Sequence, residues 1–140
     1  MYKKRTSFRF KAAPGQTAST EEREQIALIK WCKLVRLRHP PYAGQPLLFY
    51  HIPNGGHRNI FEGAKLKRMG VSAGIPDLCI PMPFNGYHGL YIELKRREGG
   101  QVSEAQKCWL ANLSALGYAV HVANGWDAAR IAIMEYFDLC

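Results

Sequence analysis

Acidic side chains are scarce, with 11 Asp and Glu against 19 Lys and Arg in 140 residues, a formal net charge of +8. That imbalance favours a polyanionic partner, with simple solubility as the bland alternative. Long apolar runs are missing as well. No uninterrupted stretch approaches the roughly 18 residues that a bilayer-crossing helix needs, and no basic amphipathic anchor stands out, so nucleic acid ranks ahead of a membrane surface. The four cysteines, Cys32, Cys79, Cys108 and Cys140, are scattered and lack the close paired spacing of zinc sites or redox motifs. Free thiols in a reducing cytoplasm are the expectation. The N-terminus is basic but lacks a following apolar segment with a cleavage site, so it does not read as a secretory signal. Neither an internal repeat nor a linker after residue 18 is visible. What is present is a chain long enough for one domain with a core, and an ordinary globular mixture of 47% apolar and 21% charged residues.

Residues 1–18 interleave Lys3, Lys4, Arg5, Arg9 and Lys11 with Tyr2, Phe8 and Phe10 and then lose all periodicity. They read as a basic arm that either fastens onto phosphates or simply frays. Ser19 with Glu22 fits a capping box, which predicts a helix from there to about Arg38, stopped by His39-Pro40-Pro41. Leu28, Trp31, Cys32 and Val35 form its inward stripe, and running that stripe backwards reaches Glu24 and then Glu21. Either acid can look into a site from the rim of the buried face; the ordinary preference of helix starts for acids explains both equally well.

Residues 47–52 predict a strand closed by Pro53-Asn54-Gly55-Gly56. A short helix over Ile60 to Met69 follows, with Lys65, Lys67 and Arg68 near its end and Gly70 as terminator. Those cations suit either a phosphate contact or a solvated face. Leu78 to Met82 and Leu90 to Arg96 are strands joined by Pro83 to Gly89. Ser103 and Gln106 match a capping box at the start of a helix to Leu116, with Gly117 at the left-handed cap position. A further strand over 118–122 and an amphipathic helix over 127–137 complete an α/β order of α, β, β, β, α, β, α.

Side chains of Leu90 to Arg96 alternate, so Tyr91, Glu93 and Lys95 share one face while Leu90, Ile92 and Leu94 mark the core side. Asp77, held after Pro76 at the start of the preceding strand, reaches the first face if the two strands pair. An exposed cross-strand ion pair is the competing explanation. Phosphodiester hydrolysis needs a water brought to an anionic phosphorus and extra negative charge stabilised. Two carboxylates and a backbone carbonyl suffice to hold Mg²⁺, which keeps several of its waters. A lysine beside it orients the water or neutralises charge, depending on its protonation.

Gly74-Ile75-Pro76-Asp77-Leu78, Tyr91-Ile92-Glu93-Leu94-Lys95 and Val102-Ser103-Glu104-Ala105-Gln106 followed by Trp109 closely resemble the VRR-NUC family of the PD-(D/E)XK nuclease superfamily. The likeness extends from Thr20-Glu21-Glu22 and Gln25-Ile26-Ala27-Leu28 through Ile52-Pro53-Asn54-Gly55-Gly56 to Gly117-Tyr118 and the last helix. Only the basic arm lies outside it, so residues 19–140 are read as the nuclease domain.

The resemblance implies a restriction-endonuclease-like fold, a central mixed β-sheet flanked by helices around an αβββαβ core. It implies that Asp77, Glu93 and the Leu94 carbonyl are metal ligands for Mg²⁺ or Mn²⁺, that Lys95 is the catalytic lysine and that Gln106 supports the site. An acid of the first helix completes it, Glu21 as first choice and Glu24 as second. It further implies a DNA endonuclease, structure-specific and acting on branched DNA such as Holliday junctions, working as a homodimer in a bacterial or phage-infected cytoplasm. Asn54, Gly55, Gly56, His57, Arg58, Lys65, Lys67, Arg68, Arg96 and Arg97 are the candidate nucleic-acid contacts. A non-catalytic DNA-binding module and an RNA-processing nuclease with the same site are the rival readings. His51 and His57 lack zinc-type spacing.

Overall fold

A computed structural model describes residues 20–53 and 59–140. Four helices and four strands follow in the order α1 (Thr20–Cys32), β1 (Tyr50–His51), α2 (Ile60–Arg68), β2 (Leu78–Ile80), β3 (Leu90–Lys95), α3 (Glu104–Ala115), β4 (Ala119–Asn124) and α4 (Trp126–Tyr136). The strands form one mixed sheet in the order β1-β2-β3-β4. β1, β2 and β3 pair antiparallel, whereas β3 and β4 run parallel and are joined through α3. Among the described residues no helix is long and apolar enough to cross a membrane.

The strand alternation sorts the layers. Leu78, Ile80, Leu90, Ile92 and Leu94 join the main core with Leu28 and Cys32 of α1 and Ala129 and Ile133 of α4. The side chains between them, Cys79, Tyr91, Glu93 and Lys95, point to the opposite face, where Gln106 of α3 meets Glu93. β3 is therefore enclosed on both sides, and Glu93 and Lys95 retain only 2% and 8% exposure. Glu93 and Lys95 therefore do not stand on an exposed face, as an exposed cross-strand ion pair would require.

Several element ends differ from the sequence expectation, each for a local reason. α1 stops at Cys32 rather than near Arg38. Beyond it Arg36 bridges to Pro46, and Leu37 donates its N–H to the Gln45 carbonyl at 3.0 Å and accepts from Gly44 at 2.7 Å. That pairing satisfies backbone groups a longer helix would have used, and it buries Leu37 and Leu47. The expected strand over 47–52 pairs only at Tyr50 and His51. Its partner β2 ends at Ile80, next to Pro81, which has no N–H to give to a ladder, and beyond that point the Leu48 amide meets the Met82 sulfur at 3.3 Å. The last strand lies slightly later than expected, over Ala119–Asn124. The expected cap Ser19 lies outside the described residues.

Two glycines are needed where they stand. Gly117 ends α3 with φ +92°. Gly74, at φ +89°, presses against α3 so closely that an added Cβ would lie 2.6 Å from the Ala105 carbonyl carbon. Gly74→Ala therefore combines backbone strain with a backbone clash and is expected to cost about 2–4 kcal/mol. Gly44→Ala, with φ +80° but nothing within 4 Å, is expected to cost only about 1–2 kcal/mol. Denaturant titration of the two variants checks the difference; equal losses would remove the packing role given to Gly74.

Candidate active site

β2 and β3 meet at the polar end of the sheet. Leu78 pairs with Ile92 in an antiparallel register, which sets Asp77, one residue earlier, beside Glu93. The Leu94 N–H donates to Asp77 Oδ2 at 2.9 Å and fixes the carboxylate against β3. The Asp77 carbonyl is held from the other side by the Ile52 N–H at 2.8 Å and by His51 Nδ1 at 2.7 Å. A carbonyl only accepts, so this contact is a hydrogen bond in the tautomer that carries its proton on Nδ1.

Glu93 is the centre of the site. Lys95 Nζ lies 3.0 Å from Glu93 Oε1, and Gln106 Nε2 donates to the same oxygen at 2.6 Å. Gln106 cannot turn its amide over, because its Oε1 accepts from the Ser103 N–H at 2.8 Å while its own N–H donates to Ser103 Oγ at 3.2 Å. This reciprocal capping box starts α3 and aims the amide at Glu93. The second oxygen, Glu93 Oε2, is buried and has no hydrogen-bond partner among the described residues.

The electrostatics reflect two acids brought together away from water. Burial pushes the Glu93 carboxyl up to about 7, the Asp77 charge adds to the rise, and Lys95 opposes it. Asp77 is raised too, chiefly by burial, with the Leu94 N–H, His51 and Lys95 offsetting part of the effect and Glu21 adding to it. Such a pair is costly as two bare anions. A hard divalent cation suits it: two carboxylates, one with a buried orphan oxygen, provide anionic oxygen ligands and gain the countercharge they lack. Among the described residues no three His, Cys, Asp or Glu side chains gather as a metal cluster, so the fit rests on the pair and on backbone oxygen.

The two first-helix acids separate clearly. Glu24 Oε1 accepts from Arg97 Nε at 2.8 Å and its Oε2 accepts from the Trp126 N–H at 2.7 Å. It thereby caps α4, whose own N-cap is Gly125 and offers no side chain. Glu21 is exposed and lines a recess of about 260 Å³ with Thr20, Arg96, Gly99, Gly100 and Gln101; it acts on Asp77 and Glu93 through its charge.

The expected nucleic-acid contacts also divide. Lys65, Lys67 and Arg68 are exposed on α2, and Arg96 is exposed beyond β3 with one N–H given to the Gly99 carbonyl at 2.9 Å. Arg97 instead bridges Glu24 and Asp127 at 2.8 and 3.0 Å, so its charge is balanced by two acids and joins α1 to α4. Asn54, Gly55, Gly56, His57 and Arg58 lie outside the described residues. His51 lacks zinc-type spacing, and its contact is with a backbone carbonyl, which no spacing rule reveals.

A mixed four-stranded sheet flanked by helices, with an acid pair and a lysine at the β2–β3 junction, defines an α/β domain of the restriction-endonuclease type. The VRR-NUC domain model matches residues 19–127, and the chain belongs to the VRR-NUC family, nucleases of the PD-(D/E)XK type. Among solved structures, a VRR-NUC domain protein is 35% identical, with 89% of this chain and 93% of that chain covered and a TM-score of 0.73. No curated protein matches the chain. Nucleases of the PD-(D/E)XK type typically use divalent metals.

Glu93 binds its proton more tightly folded, at about 7, than at its ordinary value of 4.5. Its contribution to stability is therefore fully present below about 4.5 and is lost as pH rises through 7. The metal-free protein is expected to melt at progressively lower temperature across that interval, and Glu93→Gln to flatten the descent. Thermal unfolding at a series of pH values in chelator checks this; a Glu93→Gln profile as steep as the parent's would assign the dependence to other groups.

Proposed function

We propose that the chain is a Mg²⁺- or Mn²⁺-dependent endonuclease that hydrolyses DNA phosphodiesters, acts by preference on branched DNA such as Holliday junctions, and works as a homodimer in the cytoplasm. The observation that carries the hydrolase reading is the convergence of Asp77, Glu93 and Lys95, with Glu93 Oε2 buried and without a partner among the described residues. The net charge of +8 supports a polyanionic substrate. The preference for branched DNA and the dimer are supported by the resemblance to the small self-standing members of the family.

Asp77, Glu93 and the Leu94 carbonyl would hold the metal, with Glu21 as the first-helix acid nearest in charge to the pair. When bound, the metal acidifies water and stabilises charge on the phosphate oxygens. Lys95 supplies a further positive charge beside Glu93, where negative charge grows as the phosphorus is attacked. Gln106 keeps Glu93 from rotating away, the Leu94 amide does the same for the Asp77 carboxylate, and His51 holds the Asp77 backbone carbonyl. Lys65, Lys67, Arg68 and Arg96 hold flanking phosphates. Arg97 and Glu24 belong to the scaffold that carries the site.

Asp77→Asn and Lys95→Ala are each expected to lower the cleavage rate at least roughly 10²-fold while DNA affinity stays within a few-fold, read on labelled linear, nicked, flapped and four-way DNA with each metal. Glu21→Gln is expected to slow cleavage without lowering Tm, and Glu24→Ala to lower Tm through the loss of the α4 cap. Pure parent protein that leaves every DNA intact in Mg²⁺ and Mn²⁺ would favour a binding module. Preferential cutting of RNA in competition would favour an RNA-processing enzyme.

A further inference from the structure

α2 is the one helix of the described chain that buries none of its residues: its nine residues are Ile-Phe-Glu-Gly-Ala-Lys-Leu-Lys-Arg. Its partly covered positions, Gly63 and Leu66, lie on one side. Opposite them, Phe61, Ala64, Lys65 and Arg68 stand at i, i+3, i+4 and i+7 and form a single outer stripe. Phe61 is 87% exposed there. The only acid of the helix, Glu62, lies off the stripe, and its N–H is taken by Asn59 Oδ1 at 2.7 Å in the N-cap.

A largely exposed phenyl ring in line with two cations is a poor core for a protein contact. Stable protein interfaces need about 800 Å² from each partner and exclude lysine from their centres, and a helix about 13 Å long cannot present such an area. Nucleic acid matches the alternation, because its phosphates answer the cations and its bases offer flat apolar faces. A paired, stacked duplex hides those faces, so the ring needs a base that is unpaired or unstacked.

A short connection also joins the helix to the strand start that carries Asp77. Arg68 precedes Asp77 by nine residues, a span of at most about 30 Å of extended chain, and Gly74 in that connection is pressed onto the start of α3 beside Gln106.

Resting on the nuclease reading above, we propose that the outer stripe of α2 is a platform for unpaired bases: Phe61 stacks on an exposed base while Lys65 and Arg68 hold the phosphates on either side. α2 thereby directs the enzyme to DNA with an open base step, such as a gap, flap or branch point.

The test is binding of fluorescently labelled DNA to full-length, metal-free protein, comparing a fully paired duplex with a gapped duplex of the same length. Phe61→Ala is expected to weaken the gapped DNA by roughly five- to 150-fold, the range for losing one stacked base, and the duplex by much less. Phe61→Trp is expected to restore the preference. Lys65→Ala with Arg68→Ala is expected to weaken both DNAs and to flatten the salt dependence by nearly two ions.

Equal affinities of Phe61→Ala and the parent for gapped DNA would overturn the platform while leaving the hydrolase reading intact. A Phe61→Ala protein that changes from dimer to monomer in sedimentation would also overturn it, and would assign the stripe to a second copy of the chain. Failure of the parent to cut any DNA, by contrast, sinks the hydrolase reading whatever Phe61 does to binding.

Discussion

The structure turns on one buried carboxylate. Glu93 is carried on β3, one of the two inner strands of the sheet, 2% exposed, with Asp77 beside it and, among the described residues, Lys95 and Gln106 to answer its charge. Taking an ion from water costs several kcal/mol even after relaxation, and a second acid nearby raises the cost. A fold seeking stability alone would place leucine or valine there, as it does at Ile92 and Leu94 on the opposite face. The protein instead keeps an acid half inclined to hold its proton. This local loss is offset by the apolar layer beneath, where the even residues of β3 lie against α1 and α4.

The surrounding elements hold that acid pair in place. α3 begins where it does because Ser103 and Gln106 cap each other, and the same glutamine reaches Glu93. β1, although only two residues long, delivers the His51 ring to the Asp77 carbonyl. α1 is bound to α4 through Glu24, which satisfies the Trp126 amide and the Arg97 guanidinium together. Each contact is modest. Together they fix the strands whose ends make the site, so that its geometry exists before substrate arrives.

Much of this was legible in the sequence where a rule is local. The alternation in Leu90 to Arg96 sorted Glu93 and Lys95 from the core side chains, and the Ser103–Gln106 spacing located the start of α3. The helix after Asn59 was visible from composition and from Gly70. What was not legible depends on partners far along the chain. Whether the helix from Thr20 ended at Cys32 or ran on was decided by residues 44–46, which pair with 36–37. Glu21 and Glu24 were indistinguishable on the helical stripe, and only the approach of Arg97 and Trp126, distant by 73 and 102 positions, set Glu24 apart. Arg97 looked like a neighbour of Arg96 with the same purpose, yet the turn after β3 sends it to the acids of two helices.

Gln106 illustrates how a demand of the chemistry narrows a choice that helix formation leaves open. A capping box accepts glutamate as readily as glutamine at its third position, and either would begin α3. Here the side chain also lies 2.6 Å from Glu93 Oε1, where a glutamate would bring a third anion against two that already repel. Only the neutral amide can present an acceptor to Ser103 and a donor to Glu93 at once. Among relatives that keep both serine and acid, the amide should consequently be the less replaceable of the two capping partners, although helix propensity alone would rank them as equals.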